Sequence, residues 1–210
     1  MHEFLGHTLS VFLGFFAIMN PIANTAVFVG LTANNTAEEQ KKIAFRALLI
    51  SFFVIFAFAL LGKTIFQLFG ITLPALRITG GILVFLIGYQ MLHGSSSKMH
   101  EGEHDEQSDI AISPLAVPIL AGPGTIATAM NYSAVGSWTE IIITISSFAV
   151  LCFITYLCFI FGRKIVSVVG NNGINIITRL MGLILAVIGT QLLISGVAGA
   201  IASASKELVV

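Results

Sequence analysis

The chain has 210 residues, 56% of them apolar and only 10% charged, with a mean hydropathy of +0.97. Too little of it is polar to cover a water-soluble domain, so composition excludes a soluble enzyme or binding module and points to an integral membrane protein. Ten basic residues balance ten acidic ones, and cations this few and scattered form no continuous face for nucleic acid.

The first apolar segment covers roughly residues 8–32. Its front end carries Glu3 and two histidines but no Lys or Arg, and no small-residue cleavage pattern follows, so it is expected to remain as a membrane helix. Asn20-Pro21 falls in its middle. A proline is tolerated at the first position of a helix, where its missing N–H would have no intrahelical partner, so a second half-helix is expected to begin at Pro21 with Asn20 as its N-cap. Thr36-Ala37-Glu38-Glu39 has the spacing of a capping box and predicts that the next helix starts in water near residue 37. Lys41, Lys42 and Arg46 then lie at the headgroups, and the apolar part runs over about residues 43–69.

A third apolar segment spans about residues 73–93, and residues 94–112 form a polar linker containing GSSSKMHEGEHDEQSD. His100, Glu101, Glu103, His104 and Asp105 have the chemistry of metal ligands. Their irregular spacing in a Gly/Ser-rich setting reads instead as a solvated acidic loop, and no metal site is assigned. Beyond the linker, apolar segments cover about residues 113–135, 139–162 and 175–202. The first of these is interrupted at Gly122-Pro123, again with helix-starting chemistry. Cys152 and Cys158 lie within the next and read as small apolar side chains, not as a disulfide framework.

Six segments of about 20 residues or more match the length needed to cross hydrocarbon, and their continuity argues against a β-barrel. They recur in register. Pro123 follows Pro21 by 102 positions, Gly62-Lys63 through Gly70 is answered by Gly162-Arg163 through Gly170, and Gly81, Gly88 and Gln90 by Gly182, Gly189 and Gln191. The expected architecture is therefore all-α, with residues 1–93 and 113–210 as two three-helix repeats. Each repeat crosses the membrane an odd number of times, so the two are inverted relative to one another, with helices 1 and 4 broken at Pro21 and Pro123. With both termini on one side, that side holds three basic residues, Lys63, Arg77 and Lys206. The other holds seven: Lys41, Lys42, Arg46, Lys98, Arg163, Lys164 and Arg179. The positive-inside rule then places the termini outside the cytoplasm.

Broken helices at membrane depth should line a cavity or be buried in protein, because an unsatisfied backbone group costs several kcal/mol there. The amides of Ile22, Ala23 and Asn24, and of Gly124, Thr125 and Ile126, are expected to lack helical acceptors, and the positive dipole ends that carry them suit a carboxylate. Gly122 and Gly124 let a ligand approach the backbone. Asn20, Asn24, Thr25, Thr125 and Thr128 supply oxygens for an ammonium group or a coupling ion. All ten acidic residues fall in termini, connections or helix ends, which disfavours a proton relay and favours sodium. No cofactor is called for. Nor is catalysis, since HExxH, GxSxG and buried Asp-pair arrangements are missing.

The strings NPIANTAVFVGLT, GITLPALRITGGILVFLIGYQML, PLAVPILAGPGTIAT and INIITRLMGLILAVIGTQLLISG together resemble the MarC family of six-helix bacterial and archaeal membrane proteins. The resemblance runs over essentially the whole chain. It implies a bacterial inner-membrane protein with both ends periplasmic, related to transporters of small neutral amino acids such as glycine and alanine. It carries over Asn20, Pro21 and Asn24 from the first motif and Gly122, Pro123, Gly124 and Thr125 from the second. Some relatives carry Asp where this chain has Asn20, so coupling through that carboxylate is not implied here. The expected function is a secondary transporter that moves a small zwitterion by alternating access around a midplane site. The alternative is a non-transporting scaffold or regulatory protein. The lipid bilayer is the expected surrounding, and glycine-rich helix faces allow a homo-oligomer without specifying one.

Overall fold

A computed structural model describes residues 2–93, 111–133 and 137–207. Every regular element among them is helical. In order these are α1 (His2–Met19), α2 (Pro21–Leu31), α3 (Ala37–Phe69), α4 (Leu73–Leu92), a π-helical segment (Ala111–Leu120), α5 (Pro123–Ser133), α6 (Trp138–Ile160) and α7 (Gly162–Glu207). The linker expected over residues 94–112, with its candidate metal ligands His100 to Asp105, lies outside the described residues up to residue 110. Ala111 already belongs to the helical segment that follows.

Five helical stretches are long and apolar enough to span a bilayer: Leu5–Leu31 through the interruption at Asn20, Ala37–Gly62, Leu73–Leu92, Trp138–Ile160 and Gly162–Ser205. The expected fourth span, about residues 113–135, is divided between the π-helical segment and α5, so neither piece qualifies alone. Pro114 and Pro118 both fall in the first piece, and a residue with no N–H to donate is one that a widened turn tolerates. The segment closes with Ala121 N–H donating to the Ala116 carbonyl at 2.8 Å, an i→i−5 bond. The last two expected segments also shift. α7 begins at Gly162 and is bent at Gly170, whose φ of 66° and ψ of 164° fall outside the helical region. Gly70, just past α3, has a matching φ of 64°.

The helix starts follow from their caps. Thr36 Oγ1 accepts from Glu39 N–H at 3.3 Å while Glu39 Oε2 accepts from Thr36 N–H at 2.8 Å, the reciprocal pair expected from the sequence. Thr72 and Ser137 cap α4 and α6 in the same side-chain-to-backbone manner. Thr36→Ala should cost about 1 kcal/mol, the usual cost of an N-cap, seen as faster amide exchange confined to the first turn of α3.

α1 lies mainly against α6, α2 against α7 and α6, the π-helical segment against α3, and α5 between α3 and α4. Phe15 meets Phe148 edge-on at 5.2 Å, and Phe28 stacks on Phe159 at 4.4 Å and 2°. α4 packs along α7, its most extensive partner. Their backbones touch: a methyl group on Gly81 would lie 2.7 Å from the Gly189 carbonyl oxygen, and one on Gly88 2.6 Å from that of Gly182. Where lipid replaces water no hydrophobic force draws helices together, and such close backbone approach supplies the attraction instead. Leu5, Leu9, Leu13, Phe45, Phe53, Phe153 and Val187 point outward, as lipid-facing residues should.

Two features mark the ends of the bundle. His7 Nε2 lies 2.5 Å from Glu140 Oε2, joining the start of α1 to the start of α6. At the other end, a cavity of about 50 Å³ is lined by Phe28, Ala37, Gln40, Lys41, Phe159 and Ile160, joining the end of α2, the start of α3 and the end of α6.

Candidate functional site

The first interruption rests on a single residue. Asn20 is the one non-glycine residue with positive φ among those described, at φ 38° and ψ 71°, a left-handed conformation that Asn adopts more readily than most side chains. It turns the chain while keeping most of its hydrogen bonds. Its N–H donates to the Phe16 carbonyl at 2.9 Å, its carbonyl accepts from Asn24 N–H at 3.0 Å, and its Oδ1 accepts from Ala23 N–H at 3.4 Å. Asn24 Nδ2 donates to the Met19 carbonyl at 2.5 Å, and Thr25 Oγ1 to the Pro21 carbonyl at 2.7 Å.

This local pairing narrows the donor set that the sequence suggested. Ala23 and Asn24 amides are engaged by Asn20, and the side chains of Asn24 and Thr25 brace the break. The Ile22 amide and Asn20 Nδ2 remain. The latter is buried without a partner in a residue only 4% exposed, and because Oδ1 faces Ala23, the nitrogen is the atom left over.

The second interruption is looser. Gly122 sits between the π-helical segment and α5, and its carbonyl accepts the first bond of α5 from Ile126 N–H at 3.0 Å. The expected donor at Ile126 is therefore paired as well, leaving Gly124 and Thr125 at the opening of α5. Pro21 is buried, whereas Pro123 is exposed. Gly124 faces the other break: a methyl placed on it would lie 3.7 Å from Cγ2 of Ile18, two residues before Asn20, and 2.5 Å from Cδ1 of Ile87 on α4. The opening of α5 thus adjoins the end of α1, close to the break that Asn20, Pro21 and Ile22 make.

The neighbourhood is rich in donors and poor in charge. No Asp, Glu, Lys, Arg or His stands among these residues, so any electrostatic preference comes from the aligned peptide dipoles at the two helix starts. Further along α5 the polarity reverses. Thr128 Oγ1 and Asn131 Oδ1 are both buried without partners, as is Gln90 Oε1 on α4. Thr128 was legible in the sequence as a polar residue one turn past Gly124. Asn131 and Gln90 were not, because a lone amide in an apolar helix carries no signal of whether it is paired. Among the described residues no group of three or more His, Cys, Asp and Glu side chains lies close enough together to hold a metal ion.

A family model described as MarC family integral membrane protein matches residues 5–201. The chain is similar to the UPF0056 membrane protein YvbG of Bacillus subtilis (strain 168), with 42% identity over 95% of this chain and 96% of that one. A UPF0056 membrane protein of Pyrococcus abyssi is 35% identical over 95% of this chain and 98% of its own. UPF0056 membrane protein YhcE of Escherichia coli (strain K12) is 34% identical over 90% of each. No solved structure matches.

Proposed function

The chain belongs to the MarC family of multi-pass integral membrane proteins, and from that premise we propose that it is a secondary transporter of small zwitterions of glycine or alanine size. What supports this reading is a pair of helix starts with donors left over, Ile22 N–H and Asn20 Nδ2 at one and Gly124 N–H and Thr125 N–H at the other, together with the approach of Gly124 to Ile18 just before the first. A carboxylate satisfies those groups. The protein meets it with preformed dipoles, which need no reorganisation when the ligand arrives.

Alternating access requires two elements that can exchange roles, and the proposed inverted repeats supply them. Several contacts support the repeats. Shifting Gly81 and Gly88 by 101 positions gives Gly182 and Gly189, and the shift turns the Gly81–Gly189 contact into the Gly182–Gly88 contact. Gly62 on α3 packs against Met130 of α5, and Gly162 at the start of α7 packs against Val29 and Thr25 of α2. Gly70 and Gly170 turn the chain with nearly equal φ. In the proposed topology the chain crosses six times and both termini lie on the periplasmic side of a bacterial inner membrane. The His7–Glu140 pair then stands at the outer end and Lys41 at the inner one.

Sodium is the proposed coupling ion, because the membrane-embedded part of the site offers neutral oxygens and no carboxylate. The test is uptake of labelled glycine, alanine and serine by the full-length protein in proteoliposomes under imposed sodium or pH gradients. Saturable uptake driven by sodium is expected, with Thr125→Ala lowering it at least tenfold. An absence of uptake for all three would favour a non-transporting scaffold, and uptake driven by pH but indifferent to sodium would remove the coupling ion.

A further inference from the structure

We propose that Thr128 and Asn131 form a cation subsite, taking either the ammonium of the substrate or a free monovalent ion, in the wedge between α1 and α4. The proposal rests on the transporter reading above and adds the positive pole that a zwitterion site needs.

The wedge is defined by contacts on either side of α5. Ala127 faces Gly80 of α4, whose added methyl would lie 3.5 Å from the Ala127 Cβ. Tyr132 faces Gly14 of α1, whose added methyl would lie 3.1 Å from the Tyr132 hydroxyl. Gly124 meets both helices, through Ile18 and Ile87. At about 100° per residue, Thr128 and Asn131 fall on the Gly124 face, inside the arc that Ala127 and Tyr132 bound. They rise about 6 and 10 Å along the helix from Gly124. On the two flanking helices Gly14 and Gly80 let α1 and α4 close on Tyr132 and Ala127.

Both side chains are buried, Thr128 at 3% and Asn131 at 7% exposure, and both oxygens lack partners. That is unusual in this protein. Thr25, Thr32, Ser51, Thr144 and Thr155 each donate to the carbonyl four residues earlier, the ordinary way a hydroxyl is satisfied in an apolar helix. Thr128 does not. Buried polar groups are kept unpaired where they have a task, and residues three apart on a helix bring Cβ atoms to about 5–6 Å. A single cation held between two oxygens fits that spacing. An amide oxygen offers only acceptance, so its partner must bring a donor or a positive charge.

The same face also explains an asymmetry between the halves. Counting from the two prolines, Thr128 and Asn131 correspond to Ala26 and Val29 of α2, which carry no oxygen on their side chains. The cation pole is therefore built from one half only, while both halves contribute amides to the anion pole.

The experiment measures binding of glycine, of glycolate, which lacks the ammonium, and of sodium chloride against choline chloride, to the full-length protein in nanodiscs. Asn131→Leu and Thr128→Val should each weaken glycine at least tenfold while leaving glycolate unchanged if the guest is the ammonium. If it is sodium, they should abolish the sodium-dependent gain in glycine affinity seen in the parent. Asn131→Asp keeps an oxygen in place and should retain or raise cation affinity at pH 8, which separates a lost ligand from a misfolded variant. Leu and Val variants that bind glycine and respond to sodium as the parent does would overturn the subsite alone, as would a tenfold loss in Asn131→Asp. A parent that binds neither glycine nor sodium would overturn the transporter reading and the subsite together.

Discussion

Replacing Gly88 with valine should unfold or disassemble the protein more readily than any other single change considered for its helices. A first methyl group at this position would lie 2.5 Å from the Ala186 nitrogen, 2.6 Å from the Gly182 carbonyl oxygen and 2.9 Å from Leu185 Cβ. Two of these three neighbours are backbone atoms. They cannot rotate away, so the helices must separate, and separation breaks the packing between α4 and α7 along its length. Over-packing a tight core by a methyl group or two costs about 1–3 kcal/mol, and Gly88→Ala should fall in that range with Gly88→Val above it. The measurement is thermal unfolding of the purified protein in detergent. Two controls give the contrast. Gly80→Ala would place its methyl at an ordinary contact distance from Ala127, and Gly30→Ala meets nothing within 4 Å. Both should unfold near the parent temperature, and a Gly88→Val protein that does so too would show that the seam is not close-packed.

Asn20→Ala is expected to abolish transport, and comparison with Asn20→Gly and Asn20→Asp should show why. Alanine loses the cap on Ala23 and is strained at positive φ, which together cost about 2 kcal/mol or more. Glycine adopts φ 38° freely and is a nearly adequate N-cap, so it should keep the fold. It still lacks Nδ2. If that nitrogen contacts the substrate carboxylate, Asn20→Gly should unfold near the parent temperature and yet lose at least tenfold in uptake. Aspartate retains the oxygen that caps Ala23 and replaces the donor with a negatively charged acceptor, so it should be stable and equally poor with glycine. Parent-like uptake by Asn20→Gly would remove Nδ2 from the site and leave the residue with a purely conformational role.

How much of this could be read before folding depended on the range of the interaction. The start of α3 was legible because Thr36 and Glu39 are three residues apart and act on each other. The starts at Pro21 and Pro123 were legible for the same reason, since proline chemistry is local. The π-helical turn was not. Pro114 and Pro118 announce a disturbance, but whether the chain kinks, breaks or widens depends on what packs around it. Likewise the stretch between the apolar segments ending near residue 162 and starting near 175 carried no sign of continuing as helix, yet α7 runs through it with a bend at Gly170. At the site, the sequence supplied six candidate amides but could not tell which would be paired. That outcome turned on the left-handed turn at Asn20, which swings its own side chain onto Ala23 and leaves Asn24 to reach back to Met19.

The seam between α4 and α7 reads the same from either end. Gly81 touches Gly189 as Gly182 touches Gly88, so each helix offers its neighbour the surface it receives. Interfaces of this self-complementary kind are what identical subunits make when related by a twofold axis.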